Sequence, residues 1–163
     1  MLSGRLLGYS VIALTAGVIL GIVILVSQSA RTAPPNSDAE ESIVLLNTTQ
    51  RINKGESIQF SSFSPPQAQI KVIMKVEKGG PVDVLLFDSA GYAGFKDSIE
   101  GNRSRISFIE TGSALNVTLK TYTFLIPAQD RYYIVISNSG HIEGGARPSG
   151  DVDVYLKVTS SFS

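Results

Sequence analysis

Three Asn-x-Ser/Thr triplets are the clearest chemical signal in the chain: Asn47-Thr48-Thr49, Asn102-Arg103-Ser104 and Asn116-Val117-Thr118. Outside the cytoplasm, an exposed triplet of this kind is a glycan acceptor. The chain has six asparagines, for which about one such triplet is expected by chance, so three favour a glycosylated outer surface. Catalytic pairings are scarcer. His141 is the single histidine and Ser139 lies two residues before it. A Ser/His nucleophile needs a third group to orient the base and a G-x-S-x-G-type turn, and neither spacing occurs. No catalytic residue is assigned, and a hydrolase is the weakest reading. Cysteine is absent, which removes thiolate nucleophiles, thiolate metal sites, disulfides and lipidation at cysteine. Asp83, Asp88, Asp97, Glu100, Asp151 and Asp153 stand near strand ends and could gather oxygen ligands around Ca²⁺. Their spacing does not resemble an EF-hand loop, and alternation puts both carboxylates of Asp151-Val152-Asp153 on a solvent face. They are expected to be solvated, and no metal or cofactor is assigned. Tyr92 and Phe95 fall in a Gly-, Ser- and charge-rich stretch from Asp88 to Arg103 that reads as the longest loop, and they are the candidate partner-contact residues.

The elements that must position these groups follow from hydropathy. Leu6 to Val26 contains no charged residue, and at 1.5 Å per residue it matches the roughly 30 Å hydrocarbon core of a bilayer. Residues 1–5 then form a short cytoplasmic N-terminus and 6–26 a transmembrane helix, with Arg5 before the run and Asp38, Glu40 and Glu41 after it orienting the rest outward. A cleaved signal peptide, giving a secreted domain, is the alternative: Ser27-Gln28-Ser29 offers small residues for cleavage, although the run exceeds a signal's usual apolar length. Gly17-x-x-x-Gly21 lets two helices approach closely and is a candidate homodimer face. Residues 27–41 are small, polar and Pro-containing, and they read as a linker.

From residue 42 to 163 the period becomes two. Ser42–Leu46 is an apolar first strand. Gln50–Phe63 reads as a hairpin about Asn53-Lys54-Gly55. Gln69–Glu77 alternates cleanly, and Val82–Phe87 is apolar enough to be covered on both faces. Ile106–Phe108 is a short strand. In Leu115–Ile126 the apolar phase slips from odd to even positions, which predicts a bulge near Lys120-Thr121. Arg131–Ser137 and Asp151–Thr159 complete the set. About eight short strands, with no helical period after the apolar run, predict an all-β fold: an antiparallel β-sandwich preceded by a single N-terminal transmembrane helix.

Among the 14 basic and 14 acidic residues, only Arg5 and Arg31 precede the domain, which leaves it weakly acidic. No Lys/Arg cluster occurs along the sequence, which argues against nucleic acid as a partner and against a polybasic hold on anionic lipid.

Residues from about Gly55 to Val158 resemble the GOLD domain of emp24/p24-type proteins, and less closely the bacterial pre-peptidase C-terminal domains. The resemblance lies in Gly80-Pro81-Val82-Asp83-Val84-Leu85-Leu86-Phe87-Asp88, Thr123–Pro127, Tyr132–Asn138 and Val152-Asp153-Val154-Tyr155. It implies a non-catalytic β-sandwich that binds proteins or glycans. The N-terminal apolar run and the lack of cysteine depart from the emp24/p24 plan, so only the module carries over. The reading is a membrane-anchored, extracytoplasmic binding module whose partner is an envelope protein or glycan, or an accessory subunit of an envelope complex. A pilin-like or surface-appendage subunit shares the plan of apolar helix and β-domain, but Ser3–Leu7 lacks a good prepilin cleavage site.

Overall fold

A computed structural model describes residues 19–21, 42–64, 66–101 and 106–162. The strands are β1 (Ile19–Gly21), β2 (Ile43–Ile52), β3 (Ser57–Ser64), β4 (Ala68–Lys78), β5 (Val82–Phe87), β6 (Ala114–Val117), β7 (Leu119–Leu125), β8 (Asp130–Ser137) and β9 (Val152–Phe162), with helix α1 at Ser89–Ile99. They form two sheets, β1-β3-β8-β5-β6 and β2-β9-β4-β7, antiparallel at every pairing except β1 with β3. Alternation drives the layering. Ile70, Val72 and Met74 of β4 and Val152, Val154, Leu156 and Val158 of β9 face inward, while Lys71 and Lys75 face out. Against them pack Phe60 of β3, Val82, Val84 and Leu86 of β5, and Ile134 and Ile136 of β8. This is the sandwich that the period-two pattern predicts.

Strand β5 is buried on both faces, as its unbroken apolar run predicts. Its second face, Leu85 and Phe87, joins Tyr92, Phe95, Val135 and Ile142 in a smaller cluster on the outside of the first sheet. The cover is α1, which replaces the expected Asp88–Arg103 loop over most of its length. Asp88 caps the helix, its Oδ1 accepting from the Gly91 N–H at 2.7 Å. Gly101, at φ +88°, follows its C-terminal end, where it takes the left-handed conformation that a side chain would oppose. Two glycines inside the helix lower its intrinsic propensity, so the burial of Tyr92 and Phe95 holds it in place.

Three strand expectations need correction. β2 and β3 do not form a hairpin: β2 pairs with β9 and β3 with β8, so Asn53–Glu56 is a corner between sheets. The Gly55 N–H donates to the Asn138 carbonyl at 2.8 Å, which steers the chain to the end of β8. The slipped phase in Leu115–Ile126 is a change of sheet, not a bulge. β6 pairs with β5 and ends at Val117, while β7 pairs with β4 from Leu119. Asn116, at φ +56°, makes the bend. Ile106–Phe108 is not a strand; Ile106 and Phe108 pack against the α1 cluster.

Of the apolar run Leu6–Val26, the structure describes Ile19–Gly21, and these three residues are extended and paired parallel to β3 rather than helical. The outer edge of β3 offers peptide groups for pairing, and the short apolar segment Ile19–Gly21 takes them up. Among the described residues no helix is long and apolar enough to cross a membrane. The remainder of the run, Gly17 included, and the linker lie outside the described residues.

Candidate functional site

A concavity lies on the outer face of the first sheet, in the angle between α1 and β3. It is an open depression of about 350 Å³. β3 supplies Gln59 and Ser61 to it, β8 supplies Arg131 and Tyr133, and α1 supplies Tyr92, Ala93, Lys96, Asp97 and Glu100. Tyr92 and Tyr133 stack with ring centroids 3.9 Å apart and planes 8° from parallel, which fixes the wall where helix meets sheet. Burial pushes the Tyr92 hydroxyl well above the ordinary phenol range, with a smaller push from Tyr133 beside it.

The depression has both charge signs. Among the described residues the ion pair within 4 Å is Arg51 with Asp151, at 2.8 Å on the far side of the molecule. Lys96, Asp97, Glu100 and Arg131 therefore present their charges to the opening without pairing to one another. Nearby, Asp130 anchors the start of α1. Its Oδ1 accepts from the Ser89 hydroxyl at 2.5 Å and the Arg131 N–H at 2.6 Å, and its Oδ2 from the Ser89 N–H at 3.2 Å. The Ser89 hydroxyl, helped by the two backbone donors, holds the Asp130 carboxyl below its usual range against burial, which opposes it more strongly than either backbone bond assists.

The other residues singled out from sequence scatter. Tyr92 and Phe95 do not project from a loop: both are buried, and only Tyr92 reaches the depression. Asn47 is exposed on β2 and Asn116 is exposed at the end of β6, while Asn102 lies outside the described residues. His141 is exposed and meets Ser139 through its own backbone N–H, which donates to the hydroxyl at 3.4 Å. Ser139 Oγ lies instead 2.6 Å from Ser137 Oγ, to which Ser57 Oγ donates at 2.9 Å. That arrangement is a hydroxyl chain tying strand ends, not a base beside a nucleophile.

The carboxylates do not converge. Among the described residues no group of three or more His, Asp or Glu side chains could hold a metal ion. Asp88 caps α1, Asp97 and Glu100 edge the depression, and Asp151 and Asp153 sit by Arg51 at the other sheet. The Asp151 carboxyl lies below its usual range through its bond to Arg51 and that from the Lys54 N–H. Asp83 overturns the expectation of solvation. It is wholly buried, and its Oδ1 accepts from the Asn116 N–H at 2.9 Å and the Ala146 N–H at 2.7 Å. One carboxylate thereby ties the β6 bend to the 138–150 loop, with Gly145 small enough to lie against its other oxygen. The signal in sequence was its place inside Val82–Phe87, a run read as covered on both faces, where a carboxylate needs donors of its own.

No protein-family model matches the chain, so none supports the GOLD resemblance beyond the sandwich itself. No curated protein matches it in sequence. Among solved structures the chain is similar to the crystal structure of Aeromonas hydrophila PliG, a periplasmic lysozyme inhibitor of g-type lysozyme. The identity is 12%, the match covers 78% of this chain and 92% of that chain, and the TM-score is 0.42.

Proposed function

We propose that the chain is a non-catalytic, extracytoplasmic binding module, which takes a polar segment of an envelope protein or glycan in the depression beside α1. The observation that carries this reading is the lining of that depression. Charges of both signs stand unpaired with each other beside an aromatic wall, all on rigid elements. Such a surface offers directional contacts to a neutral or mixed-charge ligand. The stacked tyrosines and the Asp130 anchor keep it in shape before the partner arrives, which lowers the ordering cost of binding.

The test is photo-cross-linking in cells from a reactive residue at Ala93, exposed inside the depression, with a second probe at Thr121 on the opposite sheet. A discrete adduct from position 93, lost when Lys96 and Arg131 are both changed to Ala in a normally folded chain, supports the reading. A chain that forms no adduct there would overturn it.

A further inference from the structure

The outer face of the second sheet carries a charge pattern that no stretch of the sequence contains. On β4, Lys71 and Lys75 point outward on either side of Ile73, and the register sets Lys157 of β9 directly opposite Ile73. Diagonal neighbours on a sheet face stand about 7–8 Å apart, so the three lysines form one cluster. Among the described residues none of them makes an ion pair. The expectation that the domain lacks a basic cluster therefore fails for a structural reason: its members come from strands about 80 positions apart in sequence, joined only by the β4–β9 pairing.

The edges of the same sheet are equally unusual. Sheets ordinarily protect their edge strands with charge and keep large apolar side chains off them. Here the order is inverted. The lysines occupy the two central strands, and the edge strands β2 and β7 carry Val44, 49% exposed, and Leu119 and Leu125, 63% and 58% exposed. All three lie on the lysine face, since Val44 is paired with Thr159, Leu119 with Lys75 and Leu125 with Gln69. Glu77 and Asp153 stand at one end of the same face, beside Thr49 and Arg51, and the basic patch away from them, bordered by apolar side chains, has the composition of a surface that sits at a membrane interface.

We propose that this face rests on an anionic bilayer, with Lys71, Lys75 and Lys157 against lipid phosphates and Val44, Leu119 and Leu125 entering the headgroup layer. Docking by this face turns the depression beside α1 away from the bilayer, because the two lie on opposite sheets of the sandwich.

The chain lacks cysteine, so Thr121→Cys, on the docking face, and Ala93→Cys, on the other, each give a single fluorescent label in the full-length protein. The labelled chains are mixed with preformed phosphatidylcholine vesicles, with or without one third phosphatidylglycerol, and acrylamide quenching is measured. The expected result is a label at position 121 shielded only in the anionic vesicles and a label at 93 open in both. The triple variant K71Q/K75Q/K157Q lowers the ratio of docked to free domain on the order of a hundredfold, about fivefold per lysine. Equal quenching in the two compositions, or shielding that persists in the triple variant, would overturn the proposal. So would shielding at 121 that polyglutamate produces on neutral vesicles and anionic lipid does not, which would assign the face to an acidic protein. Co-flotation of the unlabelled chain with anionic vesicles, lost in the triple variant, is the expected result of a second assay; co-flotation equal to that with neutral vesicles would overturn the proposal.

Discussion

Replacing Phe95 by Ala distinguishes a packed helix from a solvent-facing loop between Asp88 and Arg103. Phe95 is 0% exposed, and its ring lies 5.1 Å from that of Phe87 and 6.3 Å from that of Tyr92. Truncating a buried Phe removes both its transfer free energy and its contacts, about 3–5 kcal/mol. The upper half of that range is expected, because the neighbours cannot collapse to fill the space: Phe87 is fixed in a strand and Tyr92 is stacked on Tyr133. For a domain of about 120 residues, roughly 4 °C per kcal/mol converts this to a melting temperature lowered by about 15–20 °C. An isolated helix of this length with two internal glycines is marginal in water, so its amides should lose hydrogen-exchange protection well before those of β4 and β9. Calorimetry on the full chain in detergent gives the first number, and exchange followed by mass spectrometry gives the second. Phe95→Leu, which keeps most of the volume, should cost less than about 1.5 kcal/mol. A Phe95→Ala protein that melts within about 3 °C of the parent would refute the packed helix and return the stretch to a loop.

Further outcomes follow from the same contacts. Asp83→Ala strips two buried backbone N–H groups of their acceptor and should lower stability in urea by about 2–4 kcal/mol. Asp83→Asn keeps one carbonyl acceptor and should lose less than half as much, so equal losses would mean that the bonds do not hold the loop. The Asp130 carboxyl titrates below its usual range when folded, so its contribution is present above the unfolded value near 4 and is lost as pH falls through the folded value. Ser89→Ala should move its NMR titration midpoint upward, and an unchanged midpoint would show that the hydroxyl is not its main partner. Gly112→Ala places a Cβ against Leu86, 2.9 Å from the Leu86 Cβ, and should cost about 1–3 kcal/mol by denaturant titration. Intact mass of the chain from a glycosylating secretory host should show a glycan at Asn116 and none at Asn47. An occupied Asn47, on the proposed docking face beside Lys157, would count against membrane contact by that face.

The alternation in Gln69–Glu77 and Asp151–Thr159 and the doubly apolar run Val82–Phe87 were enough to determine an all-β sandwich from sequence, because a side-chain period of two survives whichever strand lies alongside. Partnership was not legible. Asn53-Lys54-Gly55 has the composition of a hairpin turn, and only the bond from Gly55 to Asn138 sends the chain to the other sheet. The slip after Leu115 was visible, but whether it bends one strand or divides two sheets depends on β4 and β5 lying beside it. Helix α1 left a trace in the spacing of Tyr92, Phe95 and Ile99, obscured by Gly91 and Gly94, whose low helix propensity is overcome by burial against Phe87 and Val135. The functional surfaces were the least legible of all. Asp83 became a buried anchor, and Lys71, Lys75 and Lys157 became one cluster, through contacts between residues tens of positions apart. Local sequence sets which face a side chain takes along its own strand, and only tertiary pairing decides what stands next to it.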